Sequence, residues 1–481
     1  MSNQKGITTF PLTMLALGTI VGGSFFLGTT VAIQAAGPSV LFAFLFGGLL
    51  VYFILQSLSE MTTADPSPGS FRTYAQKSFG KGMGFTIGWV YWTGLILAMS
   101  SEAFAVSTFL RAYFPNLSPA LVGIVIIISV TLINLLGAEK LSKLESGLAS
   151  FKLLAIVAFI ILGILIVVGL ISGNASNTNN FFTSGQWLVG GIGGIAGSML
   201  IVMFTYAGFE VIGLAASEAK DPNYTIPRAI RYTLLGLIGL YVLAIGVTLL
   251  LTPSAGFVEE ESPLVSALNS QGFAWAGSIM NIVMITAILS TMLASTFAQG
   301  RMIRSLAAEG HAPSWLKDKR DIPYRGILFS GAGMLSGLVL GLILPASVYL
   351  FLISSSGFSL LFTYLVIVAS HYMFRKKFGC QNNACRLPFY PYSSWFTMVS
   401  IVIILLSMPF IAGQGAGLIA GVTLVAIYVC AYFLQKFLRK NKKVHPTTSS
   451  MQGNMRTSRQ DQLQMEVSDE WDERTKQKND N

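Results

Sequence analysis

The chain has 481 residues, of which 53% are hydrophobic and 11% charged, with a net charge of +10; in soluble domains about a quarter of residues are charged. A mean hydropathy of +0.64 and repeated apolar runs of about 20 residues, enough to cross a bilayer core of about 30 Å, predict an all-α integral membrane protein. They exclude a barrel of short alternating strands.

Twelve spans are predicted, at about 11–33, 37–59, 83–111, 118–136, 148–171, 188–216, 232–252, 273–300, 326–344, 347–372, 393–411 and 414–435. Residues 1–10 precede them. The first apolar segment has no small-residue cleavage site after a short core, so it is expected to be a retained span and not a signal peptide.

Span 1 reads LGTIVGGSFFLGTT, with Gly22 and Gly23 adjacent near its middle. Span 3 carries Glu102 in AMSSEAF, a candidate polar lining residue. Span 5 carries Lys152, about 7 Å from its cytoplasmic end at 1.5 Å per residue, close enough for a lysine stem to snorkel to the headgroups. A direct Glu102–Lys152 pair would have to close more than about 10 Å along the bilayer normal, which needs strong helix tilt.

Span 6 begins with Gly190, Gly191, Gly193, Gly194 and Gly197, read as close-packing glycines, and continues into FTYAGFEVIG. A glutamate in lipid has to be protonated, paired or turned toward an internal cavity. Gly208 interrupts this span as Gly22 and Gly23 interrupt span 1. Two spans five apart, each broken near the midplane, fit a transporter of two inverted five-helix repeats. The reason is electrostatic: a broken helix offers free N–H groups to a carboxylate and free carbonyls to a cation, and an amino acid carries both charges. The repeats are placed at about 11–171 and 188–372, followed by spans 11 and 12.

Span 8 contributes Ser290, Thr291 and Ser295, and span 10 Ser354, Ser355 and Ser356. Such hydroxyls ordinarily bond the preceding turn. Cys380 and Cys385 sit in one loop with too few further ligands for a metal site, and Cys430 is expected to pack within span 12. No cofactor is expected. Lys436, Arg439, Lys440, Lys442 and Lys443 follow the last span as a basic segment suited to anionic lipid. From Thr447 the sequence is polar and cannot bury enough apolar surface to fold, so 437–481 reads as a basic segment and disordered tail.

Arg72, Lys77 and Lys81 lie between spans 2 and 3, Lys140 and Lys143 between 4 and 5, and Arg301, Arg304, Lys317, Lys319, Arg320 and Arg325 after span 8. The alternate loops are nearly bare of basic residues, and the one at Glu259, Glu260 and Glu261 is acidic. Both termini are therefore expected in the cytoplasm of a plasma-membrane protein. The basic residues are spread over several loops and form no stripe for nucleic acid. With no GxxxxGK[ST] phosphate loop and no soluble stretch able to hold a nucleotide-binding fold, an enzyme is not expected.

Together, LGTIVGGSFFLG, SFRTYAQKSFGKGMGFTIGWVYW, FTYAGFEVIGLAASEAKDPNYTIPRAI and ILSTMLASTFAQGRMIRSLAAEGHAP resemble the amino-acid permeases of the APC superfamily. The resemblance covers spans 1 to 8 by motif and spans 9 to 12 by hydropathy. It implies a leucine-transporter-like fold and transport by alternating access. The backbone at Gly22, Gly23 and Ser24 would hold the substrate carboxylate, and that at Phe204, Thr205, Ala207 and Gly208 the ammonium, with Phe204 as an aromatic gate. The family's first break reads G-x-G, so Ser24 narrows the room beside the substrate.

Proton-coupled members keep a lysine in span 5, which would give Lys152 the place of a sodium ion, with Ser290 and Thr291 as its neighbours. Glu210 is either a proton-sensitive group or a tie across the unwound backbone. The expected function is uptake of a neutral amino acid with protons, since no acidic partner for a cationic side chain is evident. Amino-acid or amine exchange has the same architecture; a channel or a membrane sensor is the remoter reading.

Overall fold

The computed structural model describes residues 8–442 except 68, 112, 172–189, 216–218, 254–256, 258–260, 319–321, 344–347, 380–385 and 412. Helix is the only regular structure among them. Hydrocarbon requires this, because backbone polar groups there have to be satisfied within the segment.

In chain order the helices are α1 (Thr9–Ile20), a single wide π turn (Ser24–Gly28) running into α2 (Thr29–Ala36), α3 (Val40–Ala64), α4 (Ser70–Phe79), α5 (Lys81–Arg111), α6 (Pro119–Asn134) and α7 (Ala138–Val167). There follow α8 (Gly191–Thr205), α9 (Val211–Ala215), α10 (Pro222–Leu251), α11 (Pro263–Ser270), α12 (Ala274–Ala308), α13 (Tyr324–Ile343), α14 (Val348–Phe378), α15 (Tyr392–Ser407) and α16 (Gly415–Lys442). Contacts divide the chain into Met1–Tyr428 and Val429–Asn481; the second unit is described only as the end of α16.

All twelve predicted stretches carry helix. Eight helical runs among the described residues are long and apolar enough to cross a membrane. The apolar helices α1 and α8, of 12 and 15 residues, are shorter because each ends at a break. Several helices extend past their apolar stretch: α7 begins at Ala138 and not near 148, α10 at Pro222 and not near 232, and α12 runs on to Ala308. Hydropathy marks the apolar part of a helix, whereas its hydrogen-bond ladder continues through polar turns. The short helices α4 and α11 fall below span length, and hydropathy does not mark them.

The broken segments lie within the helix assembly. Helix α1 packs against α7, α9, α10 and α12, and α2 against α8. The glycines that open α8 divide in role. A Cβ on Gly197 would touch Ile411 and one on Gly190 would lie 3.0 Å from the Ala35 carbonyl, but Gly191 and Gly193 have no such neighbour within 4 Å among the described residues, which corrects the uniform packing expectation there.

Two polar nodes join helix ends. Arg72 of α4, 1% exposed, forms a two-pronged pair with Glu309 just past α12 (Nη1–Oε2 3.1 Å, Nη2–Oε1 2.6 Å) and donates to Ser305 at 2.9 Å. It is thus a buried anchor, not a free loop charge. Glu60 of α3 lies 2.6 Å from His371 Nε2 of α14 and accepts the backbone N–H groups of Arg386 and Leu387, fastening the loop before α15. Cys380 and Cys385 lie outside the described residues. Cys430 is exposed, which corrects its expected place in the packing.

Candidate functional site

The first break is a change of path. Val21 leaves the helix for an extended conformation, and the chain resumes at the π turn, where Phe25 N–H bonds Gly22 O at 3.1 Å. The N–H groups of Gly23 and Ser24 are left pointing away from their own helix. Both are taken by Glu102 of α5: Gly23 N–H donates to Oε2 at 2.9 Å and Ser24 N–H to Oε1 at 3.1 Å. Gly23 permits this approach, since a Cβ there would lie 2.1 Å from Oε2. Glycine at 22 has a similar reason: a Cβ would meet Thr291 Oγ1 at 2.8 Å.

Around this break the sequence-predicted residues gather. Thr291 Oγ1 donates to the carbonyl of Val21 at 3.2 Å. Lys152, wholly buried on α7, donates to the carbonyl of Gly18 and to Ser290 Oγ. Its ammonium therefore points inward to the first break, and the snorkelling expectation is corrected. No ion pair joins Lys152 and Glu102 among the described residues. Ser290 in turn donates to Glu145 Oε1 at 2.9 Å.

The second break is held from three directions by Glu210. Gly208 N–H donates to Oε2 at 3.1 Å, Tyr364 of α14 to Oε2 at 3.1 Å and Tyr91 of α5 to Oε1 at 2.9 Å. Gly208 sits at φ +106°, a conformation that residues with a Cβ rarely adopt. A Cβ there would also lie 3.0 Å from the Thr19 carbonyl. Thr19 Oγ1 lies 3.3 Å from Gly208 O, so the two breaks touch.

Phe204 is buried, and its carbonyl accepts from Ala207 N–H at 3.1 Å. Ala207 is half-buried. The Thr205 carbonyl accepts from Tyr241 OH of α10 at 3.0 Å, and Tyr241 stacks on Phe25 at 4.2 Å between ring centres. An aromatic wall thus connects the two breaks on one side.

Glu145, Tyr91, Tyr364, Tyr241 and Thr19 were not singled out by sequence reasoning. Glu145 carried a signal: it lies seven residues before Lys152, two turns along the same helix face. The tyrosines carried none, because a phenol in an apolar span is ordinary packing until its partner is known.

The chain matches the family model described as Amino acid permease over residues 11–445. It is 32% identical over 453 residues to the gamma-aminobutyric acid permease of Escherichia coli (strain K12), covering 92% of this chain and 97% of that protein. It is 30% identical over 437 residues to the probable threonine/serine transporter YbxG of Bacillus subtilis (strain 168), covering 90% and 95%. To a probable GABA permease of Pseudomonas aeruginosa it is 33% identical over 419 residues, covering 85% and 88%. Among solved structures, a mutant of the Eremococcus coleocola manganese transporter shares the fold at a TM-score of 0.57 and 14% identity, covering 90% of this chain and 94% of that one.

Proposed function

This chain belongs to the amino acid permease family, a multi-pass membrane transporter of amino acids and not an enzyme, and from that premise we propose that it imports a neutral amino acid with protons by alternating access. The observation that carries the reading is the meeting of two interrupted helices, with outward N–H groups at Gly23 and Ser24 on one side and the unwound backbone of Phe204–Gly208 on the other. A zwitterion needs such a pair of ends. Gly22, Gly23 and Ser24 receive the carboxylate; Phe204, Thr205, Ala207 and Gly208 line the ammonium end, with Phe204 as gate.

The architecture of this reading is twelve spans within 11–436, as two inverted repeats, about 11–171 and 188–372, plus two further helices. Residues 1–10 and the basic segment and tail, 437–481, are cytoplasmic, at the plasma membrane. The relatives named for gamma-aminobutyric acid and for threonine/serine take zwitterions without a charged side chain, which supports a neutral substrate. Lys152 is the coupling residue. Buried against the Gly18 carbonyl it ties the first break to α7, and release of its proton would loosen that tie.

Uptake of radiolabelled amino acids into proteoliposomes tests this. Accumulation driven by an imposed pH gradient, with Lys152→Ala losing the pH dependence, is expected. Uptake only into vesicles preloaded with amino acid would instead establish exchange, and no uptake of any amino acid would overturn the reading.

A further inference from the structure

Glu102 is held differently from the buried carboxylates of Glu210, Glu60 and Glu145, the last of which accepts from the Ser290 hydroxyl at 2.9 Å. Glu210 accepts from three donors on three parts of the chain, and Glu60 is bound by His371 and two backbone N–H groups. The described hydrogen bonds of Glu102, 3% exposed, come from Gly23 and Ser24 alone, one to each oxygen. Two adjacent backbone N–H groups meeting the two oxygens of one carboxylate is the contact an amino acid's own carboxylate makes with such a break.

We propose that Glu102 is a built-in competitor of the substrate: its carboxylate fills the Gly23–Ser24 cradle, and an incoming amino acid binds by displacing it. The proposal rests on the reading that this cradle receives the substrate carboxylate. Each N–H has one hydrogen, and both are engaged, so a second carboxylate has no donor there while Glu102 stays. Two carboxylates against the same pair, in a site removed from water, also repel. Gly23 leaves no side chain between Oε2 and the backbone, so the cradle is shaped for a carboxylate arriving from α5. A fixed cap would serve the break with any acceptor, whereas a competitor has the chemistry of the ligand it yields to.

The consequence is measurable, because apparent affinity is the intrinsic affinity reduced by the fraction of molecules with the cradle open. With that fraction at ~1–10%, typical of a minor conformation, removing the competitor tightens binding by about 10- to 100-fold. Glu102→Gln keeps the shape but replaces one acceptor by an amide that opposes an N–H. Glu102→Asp keeps the charge and withdraws it by one methylene, and serves if the glutamine variant does not fold.

The experiment measures equilibrium binding to the purified full-length protein, wild type and both variants, with the twenty L-amino acids, gamma-aminobutyric acid and their methyl esters as probes. Size-exclusion chromatography and thermal unfolding check the fold. The expected result is that acids bind the wild type and esters do not, while Glu102→Gln binds acids at least about tenfold more tightly. Carboxylate-dependent binding that is unchanged or weaker in folded variants would overturn the competition and leave the cradle reading standing. Esters binding the wild type as well as acids, or no probe binding at all, would overturn both.

Discussion

Lys152 and Glu145, two turns apart on α7, are joined through a third side chain: Ser290 of α12 accepts from Lys152 Nζ at 3.2 Å and donates to Glu145 Oε1 at 2.9 Å. All three side chains are buried, and the hydroxyl is the link that ties α7 to α12 beside the first break.

Replacing Ser290 by Ala removes a donor from one charged group and an acceptor from the other. Leaving buried polar partners unsatisfied costs about 1–3 kcal/mol. We expect Ser290→Ala to lower the thermal unfolding midpoint in detergent and to slow proteoliposome uptake by roughly tenfold, the equivalent of about 1.4 kcal/mol. Wild-type stability in this variant would show that the hydroxyl is dispensable to the pair.

At the second break the same logic distributes over two phenols. Tyr91→Phe and Tyr364→Phe should each destabilise by about 1–3 kcal/mol, the cost of leaving a buried hydrogen-bond partner unsatisfied. In a Glu210→Gln background each loss should shrink, because the acceptor has changed. A double-mutant cycle on unfolding free energy measures the coupling, and additive losses would sink it.

Gly208→Ala places a Cβ on a residue at φ +106° and 3.0 Å from the Thr19 carbonyl. Backbone strain of this kind costs about 1–3 kcal/mol. We expect reduced stability and at least tenfold weaker uptake. Gly193→Ala on α8, where no described residue lies within 4 Å, is the control; in a helix it should be neutral or stabilise by up to about 1 kcal/mol.

The Arg72–Glu309 pair predicts an acid limb. The Arg72 guanidinium bonded to Glu309 holds that carboxyl below its ordinary value of 4.5. A depressed folded pKa means stability that is fully present above the unfolded value and lost as pH falls through the folded one. The unfolding midpoint should therefore decline on acidification below about 4.5, and less steeply in Glu309→Gln. At neutral pH Arg72→Ala should cost about 2 kcal/mol, less than a fully buried pair because Glu309 is 34% exposed. An acid limb of equal slope in wild type and Glu309→Gln would show that other groups set it.

Much of the bundle was legible because lipid leaves the backbone few options, and the breaks were legible because Gly22, Gly23 and Gly208 interrupt apolar runs that otherwise continue. Lys152, Glu102 and Glu210 announced themselves as charges in lipid. Their partners did not. Glu102 and the Gly23 N–H are 79 positions apart, and only the packing of α5 against the break brings them together. Glu145 and Glu60 were hidden by boundaries, since each lies just outside an apolar stretch yet inside a longer helix. Helices α4 and α11 are too short to register as spans and owe their place to tertiary contacts.

Helix α5 touches both interruptions, with Tyr91 reaching Glu210 and Glu102 reaching Gly23 and Ser24. Eleven residues along an α-helix advance about 16 Å and turn within about 20° of three full revolutions, so both side chains leave nearly the same face. This helix therefore works as a ruler with two marks, against which the half-helices are set. Inserting one residue between Trp92 and Ser101 would swing one mark by about 100° relative to the other, and the two sites could no longer be read from the same edge.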